Sequence, residues 1–451
     1  MHMKKTKQID MTVGDPLRLM TLFAIPLFLG NVFQMFYNMA DSAVVGRFIG
    51  AEALAAVGAA SPGFNLFTMV ISGFTSGASV VIAQAFGSGD EDNIKKAYST
   101  SVLLLFYSGL LFTIIGFAAS RPVLRLLGTP ENVFPDALTY MRWMCIGLLA
   151  TCLYNGMGSI LRAAGDSMTP LIALIISSIL NIILDVVFVL FFHLGVAGVA
   201  IATVIAQLIS GIYCVASIRR NLPVFRVRRE DYRIYPPVLK ETIRLGLPAA
   251  LSSAVVNFSV MLIQRAVNGY GSDIMAAYTV SGRAEHVGFC LSYSIGMAVG
   301  IFVAQNAGAG RFDRVRQGLF SGIRLSLVYH IFIALLMWFG APYLVRVFTD
   351  KPAVIEVSTQ IIHISAVFAP VLGLVFIFQN FLRNVSDVMP TIVMSGAEIL
   401  CRGVLPFLLS SRFGYYGIWW ATPIGWSLSL LIGIIRYRSG KWKNKVRTAS
   451  V

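Results

Sequence analysis

Polar side chains recur at helical spacing inside apolar stretches of this chain, and two of them are aspartates. Asp41 follows Tyr37 by four residues and Gln34 by seven, so the three side chains share one face of a helix. Asp185 likewise follows Asn181 by four residues. An acid within an apolar helix is costly to insert and therefore marks a candidate ion or substrate path.

These residues offer oxygen atoms of the kind that a hard cation binds. The carboxylates of Asp41 and Asp185, the amide of Asn181 and the hydroxyl of Thr203 could together hold Na⁺. The two carboxylates could instead share one proton, because adjacent carboxylates repel each other when both are ionised. Two other interpretations remain open: Asp41 sits at a helix end among lipid headgroups, or the polar residues only fix helix packing.

Membrane-spanning helices must position these side chains. Hydrophobic residues make up 57% of the 451 residues and charged residues only 13%, against about 25% charged in an average soluble protein. Apolar runs long enough to cross a hydrocarbon core of about 30 Å as helices occur twelve times. They cover residues 17–40, 54–82, 97–119, 137–160, 168–192, 196–218, 241–267, 274–304, 318–340, 357–381, 389–410 and 415–436.

The net charge of +15 is distributed unevenly between the two sides of the membrane. When loops are assigned alternately, the side with both termini collects 24 Lys and Arg residues and the opposite side seven. The positive-inside rule then predicts cytoplasmic termini in a multi-pass protein of the inner (plasma) membrane. We expect the basic residues to face anionic lipid rather than nucleic acid.

The five cysteines and five histidines are scattered, and no C-x-x-C pair is present. The sequence therefore indicates neither disulfides nor a zinc site. It also contains no phosphate-binding G-x-x-x-x-G-K-[ST] motif. We expect no cofactor apart from a coupling ion, and no enzyme activity.

The chain repeats itself at a spacing close to 221 residues. Matching positions include Ala83-Gln84 with Gly87 and Gly89 against Ala304-Gln305 with Gly308 and Gly310, and Leu161-Arg162 with Asp166 against Leu382-Arg383 with Asp387. Each copy holds six spans, which predicts two six-helix bundles related by a pseudo-twofold axis along the membrane normal. We therefore divide the chain into an N-terminal lobe of residues 1–220, a cytoplasmic linker of residues 221–237 and a C-terminal lobe of residues 238–451.

The second half lacks equivalents of Asp41 and Asp185 but has charges of its own. Glu398 and Arg402 stand four residues apart, a spacing that predicts a charge pair with a structural or gating role. Arg283 stands two residues before Glu285, and these two charges are further candidates for a structural or gating role.

Pro26 opens the helix that carries Asp41. A proline inside a span favours a kink, so Pro26 is a candidate hinge. The alternative is an ordinary proline at a helix N-terminus.

Four segments resemble the multidrug and toxic compound extrusion (MATE) family, and the likeness extends over all twelve spans. These segments are QMFYNMADSAVVGRFIG followed by AEALAAVG, AQAFGSGD, LRAAGDSMTP and VAQNAGAGR. The resemblance implies export of cationic, amphipathic organic compounds by a secondary antiporter, in exchange for inward H⁺ or Na⁺ by alternating access. It implies a cation site at Asp41, Asn181, Asp185 and Thr203, with Gln34, Tyr37 and Asn155 nearby in a substrate cavity. We expect small organic substrates, a lipid bilayer environment and a monomer.

The resemblance is incomplete in one respect. One branch of the family relies on acids in the seventh and tenth spans, whereas here the seventh has none and the tenth has only Glu356, at its edge. The first-half site is therefore the stronger candidate. A lipid-linked precursor or polysaccharide flippase of similar architecture is the alternative function, because arginines also lie within the spans.

The charge count generates a topology prediction. In a variant without the native cysteines, a cysteine at Arg228 should react with a membrane-permeant maleimide but not with an impermeant one in intact cells, because the linker is cytoplasmic. A cysteine at Arg412, on the opposite side, should react with both reagents. Reaction of the Arg228 position with the impermeant reagent would show that the topology is inverted.

Overall fold

The structure is a computed structural model that describes residues 8–445, and within this range the regular secondary structure is helical. The basic residues Lys4, Lys5, Lys7 and Arg447, which contribute to the topology prediction, lie outside the described residues. In chain order the α-helices are α1 Pro16–Val44, α2 Ala51–Ser88, α3 Glu91–Leu126, α4 Phe134–Ile146, α5 Leu148–Ala163, α6 Met168–Val186, α7 Gly195–Asn221, α8 Pro236–Asn268, α9 Ser272–Gly308, α10 Phe312–Arg346, α11 Pro352–Asn384, α12 Met389–Phe413 and α13 Tyr415–Arg438.

The predicted spans are confirmed. In the described part of the chain, eleven helices are long and apolar enough to cross a membrane, and α4 with α5, bent by 46°, brings the number to twelve when the pair is counted as one span. The bend falls at Gly147, where an added Cβ would overlap the side chain of Val204 on α7. Short π-helical turns, Val45–Ile49 and Val187–Phe191, extend α1 and α6. The helices run several residues beyond the apolar runs, because the helical hydrogen bonds continue into more polar sequence.

The described chain folds into two compact units. Unit 1 contains residues 8–10 and Pro26–Ala250, and unit 2 contains Met11–Ile25 and residues 251–445. The chain thus passes from one unit to the other within α1, at Pro26, and within α8, just after Pro248. The N-terminal lobe, linker and C-terminal lobe, with boundaries at residues 220 and 238, were defined from the sequence repeat. This division stays a prediction.

The repeated residues hold segments together inside each unit. In unit 1, Asp166 accepts hydrogen bonds from the backbone N–H of Thr169 at 2.9 Å and from its hydroxyl, which caps the start of α6. Its repeat partner Asp387, in unit 2, instead forms a bidentate ion pair with Arg436 at 2.6 and 3.0 Å. The equivalent positions therefore both anchor a helix, but with different partners.

Gln305 and Asn306, which belong to the repeated motif, hold the backbone just before α1 by hydrogen bonds. Within unit 2, the Met11 N–H donates to Gln305 Oε1 at 3.2 Å and the Asn306 amide donates to the Met11 carbonyl at 2.9 Å. Arg314 donates to the Gly14 carbonyl at 2.9 Å. The first span thus starts from a buried, hydrogen-bonded anchor, since Met11 is completely buried.

Glycines allow two helices of unit 1 to cross in backbone contact. A Cβ added to Gly73 on α2 would lie 2.7 Å from the carbonyl oxygen of Gly246 on α8, and one added to Gly246 would lie 2.6 Å from that of Gly73. A Cβ at Gly77 would overlap the carbonyl oxygen of Thr242. Small residues at this spacing are the usual means of close helix approach in membranes.

This crossing generates a stability prediction. Gly77→Ala should destabilise the protein by about 1–3 kcal/mol, because backbone atoms must move to make room. Gly58→Ala on the same helix is the control: no atom lies within 4 Å of the added Cβ, so stability should stay equal or rise slightly. Thermal unfolding in detergent, followed by loss of the monodisperse peak in size-exclusion chromatography, measures both. Equal midpoints for the two variants would contradict the proposed contact.

Candidate functional site

Three helices of unit 1 bring the predicted ion-site residues together. Helix α1 supplies Tyr37 and Asp41, α6 supplies Asn181 and Asp185, and α7 supplies Thr203. Asn181 and Asp185 are completely buried, as their polar stripe on an otherwise apolar helix requires. Buried polar groups need hydrogen-bond partners, and here they find them in one another.

Asn181 is the bridge of this network. In the amide orientation that satisfies both of its polar groups, the nitrogen donates to Asp185 Oδ2 at 3.0 Å. The amide oxygen then accepts from both the backbone N–H and the hydroxyl of Thr203 at 3.2 Å. The Tyr37 hydroxyl also lies 3.5 Å from the Thr203 oxygen. α1, α6 and α7 are therefore joined through side chains.

The two aspartates meet at one end of the network. Their carboxyl groups lie within hydrogen-bonding reach of each other, which requires a proton or a cation between them to offset repulsion. One oxygen of Asp41, Oδ1, is buried and has no hydrogen-bond partner in the described part of the chain. An unsatisfied carboxylate oxygen beside a second carboxylate, an amide and a hydroxyl suits a proton or a hard cation.

Tyr140 on α4 is a neighbour that the sequence did not reveal. It is buried and interacts electrostatically with Asp41, Asp185 and Tyr37. No spacing rule connects a residue on α4 with α1 and α6, so only the folded structure could place it there. Tyr140 is therefore a buried neighbour within electrostatic range of the acid pair.

The remaining first-half candidates have other surroundings among the described contacts. Gln34 donates to Asn38 at 3.2 Å along the same helix. Asn155 is half-buried on α5. Among the described contacts, neither residue forms a hydrogen bond with the four ion-site residues. Pro26 is buried within α1. Roles in substrate binding for Gln34, Tyr37 and Asn155, and as a hinge for Pro26, stay predictions.

Glu398 and Arg402, the predicted charge pair, have different hydrogen-bond partners and form no ion pair within 4.0 Å among the described residues. Glu398 accepts a hydrogen bond from Gln379 at 3.3 Å, and Arg402 donates to Ser259 at 3.2 Å. The two charges still interact electrostatically, and Arg402 interacts with Glu285 as well. Helical spacing allows a pair but does not enforce one, because each side chain found a partner on a different helix.

Glu285 and Arg283 also differ from the expected pattern. Glu285 on α9 accepts a hydrogen bond from Ser365 on α11. Arg283 is exposed, and within the described residues it forms no ion pair with Glu285. In unit 2, therefore, Glu285 and Glu398 both interact electrostatically with the same buried arginine, Arg402.

A second buried group that sequence reasoning missed is His330. Its ring is completely buried, with Nε2 2.7 Å from the Ser292 hydroxyl and Nδ1 2.7 Å from the Ser326 carbonyl. Gly373 makes room for the ring, since an added Cβ would overlap it. This arrangement joins α9, α10 and α11. The only signal in the sequence is Ser326 four residues before His330 on the same helix.

This geometry predicts unequal effects of neutralising the two charges. Arg402→Gln should lower the free energy of unfolding by about 1–3 kcal/mol, because Glu285 and Glu398 both lose their nearest cation. Glu398→Gln should lower it less, since a carboxamide oxygen still accepts from Gln379. Chemical or thermal unfolding of purified protein measures both, with exposed Arg346→Gln as the control. A contact pair would instead make the two losses equal and restore stability in the double variant.

The chain is similar to known proteins over most of its length. A family model described as MatE matches residues 26–187 and 248–408. The probable multidrug resistance protein YoeA of Bacillus subtilis is 31% identical over 438 residues, which cover 95% of this chain and 94% of that protein. The probable multidrug resistance protein YpnP of the same organism is 30% identical over 442 residues, covering 97% and 98%. A crystal structure of MATE in the bent conformation superposes with a TM-score of 0.91 at 22% identity, over 98% of this chain and 100% of that chain.

Proposed function

Since the chain belongs to the MATE family, whose members are transporters and not enzymes, we propose that it is a secondary antiporter. It exports cationic, amphipathic organic compounds in exchange for inward H⁺ or Na⁺. The names of the two Bacillus relatives support multidrug substrates, and they do not favour a flippase. The protein works as a monomer in the inner (plasma) membrane, with both termini in the cytoplasm.

The adjacent carboxyl groups of Asp41 and Asp185 carry this proposal. They lie in a part of the chain that spans the membrane, without a basic partner among the described ion pairs. Two carboxylates in this position need a positive charge, and a transported proton or Na⁺ supplies it. Asn181 and Thr203 orient the pair, and they add an amide and a hydroxyl to the possible ligands.

The coupling step follows from the helices that carry the site. Asp41 and Tyr37 belong to α1, whereas Asp185, Asn181 and Thr203 belong to α6 and α7. With the ion bound, the two carboxyl groups attract it jointly and α1 is held against α6. With the ion released, their mutual repulsion favours movement of α1. An ion that binds one arrangement more tightly shifts the population toward it.

Substrate and ion influence each other through the same two-state element. If the ion changes substrate affinity by some factor, the substrate changes ion affinity by the same factor. Substrate binding itself does not require both carboxylates. Loss of coupling with retained binding is therefore the signature expected of a damaged ion site.

Asp41→Asn and Asp185→Asn should each abolish ion-driven transport while the protein stays folded, because the amide removes the charge that the ion neutralises. Uptake of a fluorescent organic cation into inverted vesicles, with a proton or a Na⁺ gradient imposed alone, measures the effect and identifies the ion. Asp273→Asn is the matched control, since Asp273 forms only an exposed ion pair with Lys351 at 3.5 Å. Its transport should equal that of the wild type.

Affinity measurements complete the experiment. Ion and substrate should alter each other's affinity by the same factor in the wild type, and this factor should approach one in both variants. Wild-type transport in both Asp41→Asn and Asp185→Asn would refute the site and direct attention to Glu285 and Glu398. Failure of the control as well would indicate damage to the protein rather than to coupling.

A further inference from the structure

A shallow groove of about 510 Å³ runs along the first part of α10 in unit 2. Each lining residue has another three or four positions away, so together they form a single stripe on the helix. They are Asp313, Arg316, Gln317, Phe320, Ser321 and Arg324. Two arginines against one aspartate leave the groove with a net charge of +1.

Neither Arg316 nor Arg324 forms an ion pair with an acid in the described part of the chain. Among the described residues, neither Arg316 nor Arg324 has an ion-pair partner within 4.0 Å, although Asp313 lies three residues before Arg316 on the same face. Arg316 rests over the ring of Phe320, at 5.8 Å from its centre. Arg324 is exposed and has no hydrogen bond within the part of the chain that is described. Both guanidinium groups are available to an anion.

The same stripe shows which environment this face meets. Beyond Arg324 it continues through large exposed apolar side chains, including Val328 at 70%, Phe332 at 62% and Phe339 at 72% exposure. Such a face of a spanning helix contacts lipid tails. Arg324 thus stands about 18 Å from the start of α10, where the helix enters hydrocarbon. The side chain of Arg324 can extend back toward the headgroup layer, since helical side chains lean toward the N-terminus. Arg316 leans the other way, over Phe320, and therefore toward Arg324.

Aromatic residues at the end of α13 and just after it pack next to Phe320, which lines the groove. Tyr437 packs edge-on against Phe320 with 6.3 Å between ring centres, and Trp442 stacks on Tyr437 at 5.9 Å. Lys443 lies 6.0 Å from the ring centre of Trp442. Tyrosine and tryptophan at this position are typical of the membrane–water interface. The groove is therefore at headgroup level and has basic and aromatic neighbours.

We propose that this groove binds one anionic phospholipid. Its phosphodiester lies between Arg316 and Arg324, with Gln317 and Ser321 as further hydrogen-bond donors, and its acyl chains follow the apolar stripe that starts at Val328. The groove's net charge of +1 matches a headgroup with a single negative charge, such as phosphatidylglycerol. The lipid belongs to the leaflet at the start of α10, on the side predicted to be cytoplasmic.

Native mass spectrometry of the full-length protein, titrated with phosphatidylglycerol or with phosphatidylcholine of the same acyl chains, tests this proposal. The wild type should prefer phosphatidylglycerol. Each of Arg316→Gln and Arg324→Gln should weaken its binding about fivefold, and the double variant about 25-fold, which corresponds to about 1 kcal/mol for each basic residue. Arg324→Lys should keep most of the affinity, since the charge remains.

The double variant Arg346→Gln with Arg412→Gln is the matched control, because it removes two exposed arginines at the opposite helix ends. It should bind phosphatidylglycerol within about twofold of the wild type, a difference of about 0.4 kcal/mol. Equal weakening in this control, or displacement of the lipid by inorganic phosphate, would overturn the proposal in favour of general charge attraction or a free-anion site. If the Arg316/Arg324 double variant does not fold, the single variants decide, and a change of less than about twofold in both refutes the site.

Discussion

The repulsion between two carboxyl groups inside a membrane is the constraint on which the candidate site depends. Asp185 and the Oδ1 atom of Asp41 are buried, so the surrounding helices must provide partners or an ion must provide charge. Asn181 satisfies part of this demand by bridging Asp185 and Thr203. The part left unsatisfied, Asp41 Oδ1, is what makes the arrangement suitable for a transported cation rather than for packing alone.

The two units handle buried acids in different ways. In unit 1 the acids lie against each other, without a nearby base in the described ion pairs. In unit 2, Glu285 and Glu398 are separated, each holds a neutral hydrogen-bond donor, and Arg402 lies within electrostatic range of both. A fixed arginine gives buried carboxylates a permanent positive charge, whereas an exchangeable ion gives it only while it is bound. The same fold can therefore compensate the acids of one unit with a fixed arginine, whereas the acids of the other unit form a candidate site for an exchangeable ion.

Hydrophobic length and repeats predicted the fold well, because a spanning helix must satisfy its backbone internally wherever the sequence stays apolar. Helical spacing also placed Asp185 beside Asn181 correctly. It did not reveal the hydrogen-bond partners of Glu398 and Arg402, since these are Gln379 and Ser259 on other helices. The proximity of Tyr140 to the acid pair and the close approach of Gly77 to Thr242 depend on how the helices cross. The sequence of a single protein does not show directly where its helices cross.

A few polar residues of the repeated motif fix the start of a long apolar helix. Gln305, Asn306 and Arg314 bind the backbone around Met11 and thereby fix where α1 begins. Because Met11 and Asp41 belong to different compact units, α1 is a covalent connection between the anchor in unit 2 and the candidate ion site in unit 1. A change in how α1 is held at Asp41 therefore acts on a helix whose other end is fixed, which is the mechanical condition that coupling requires.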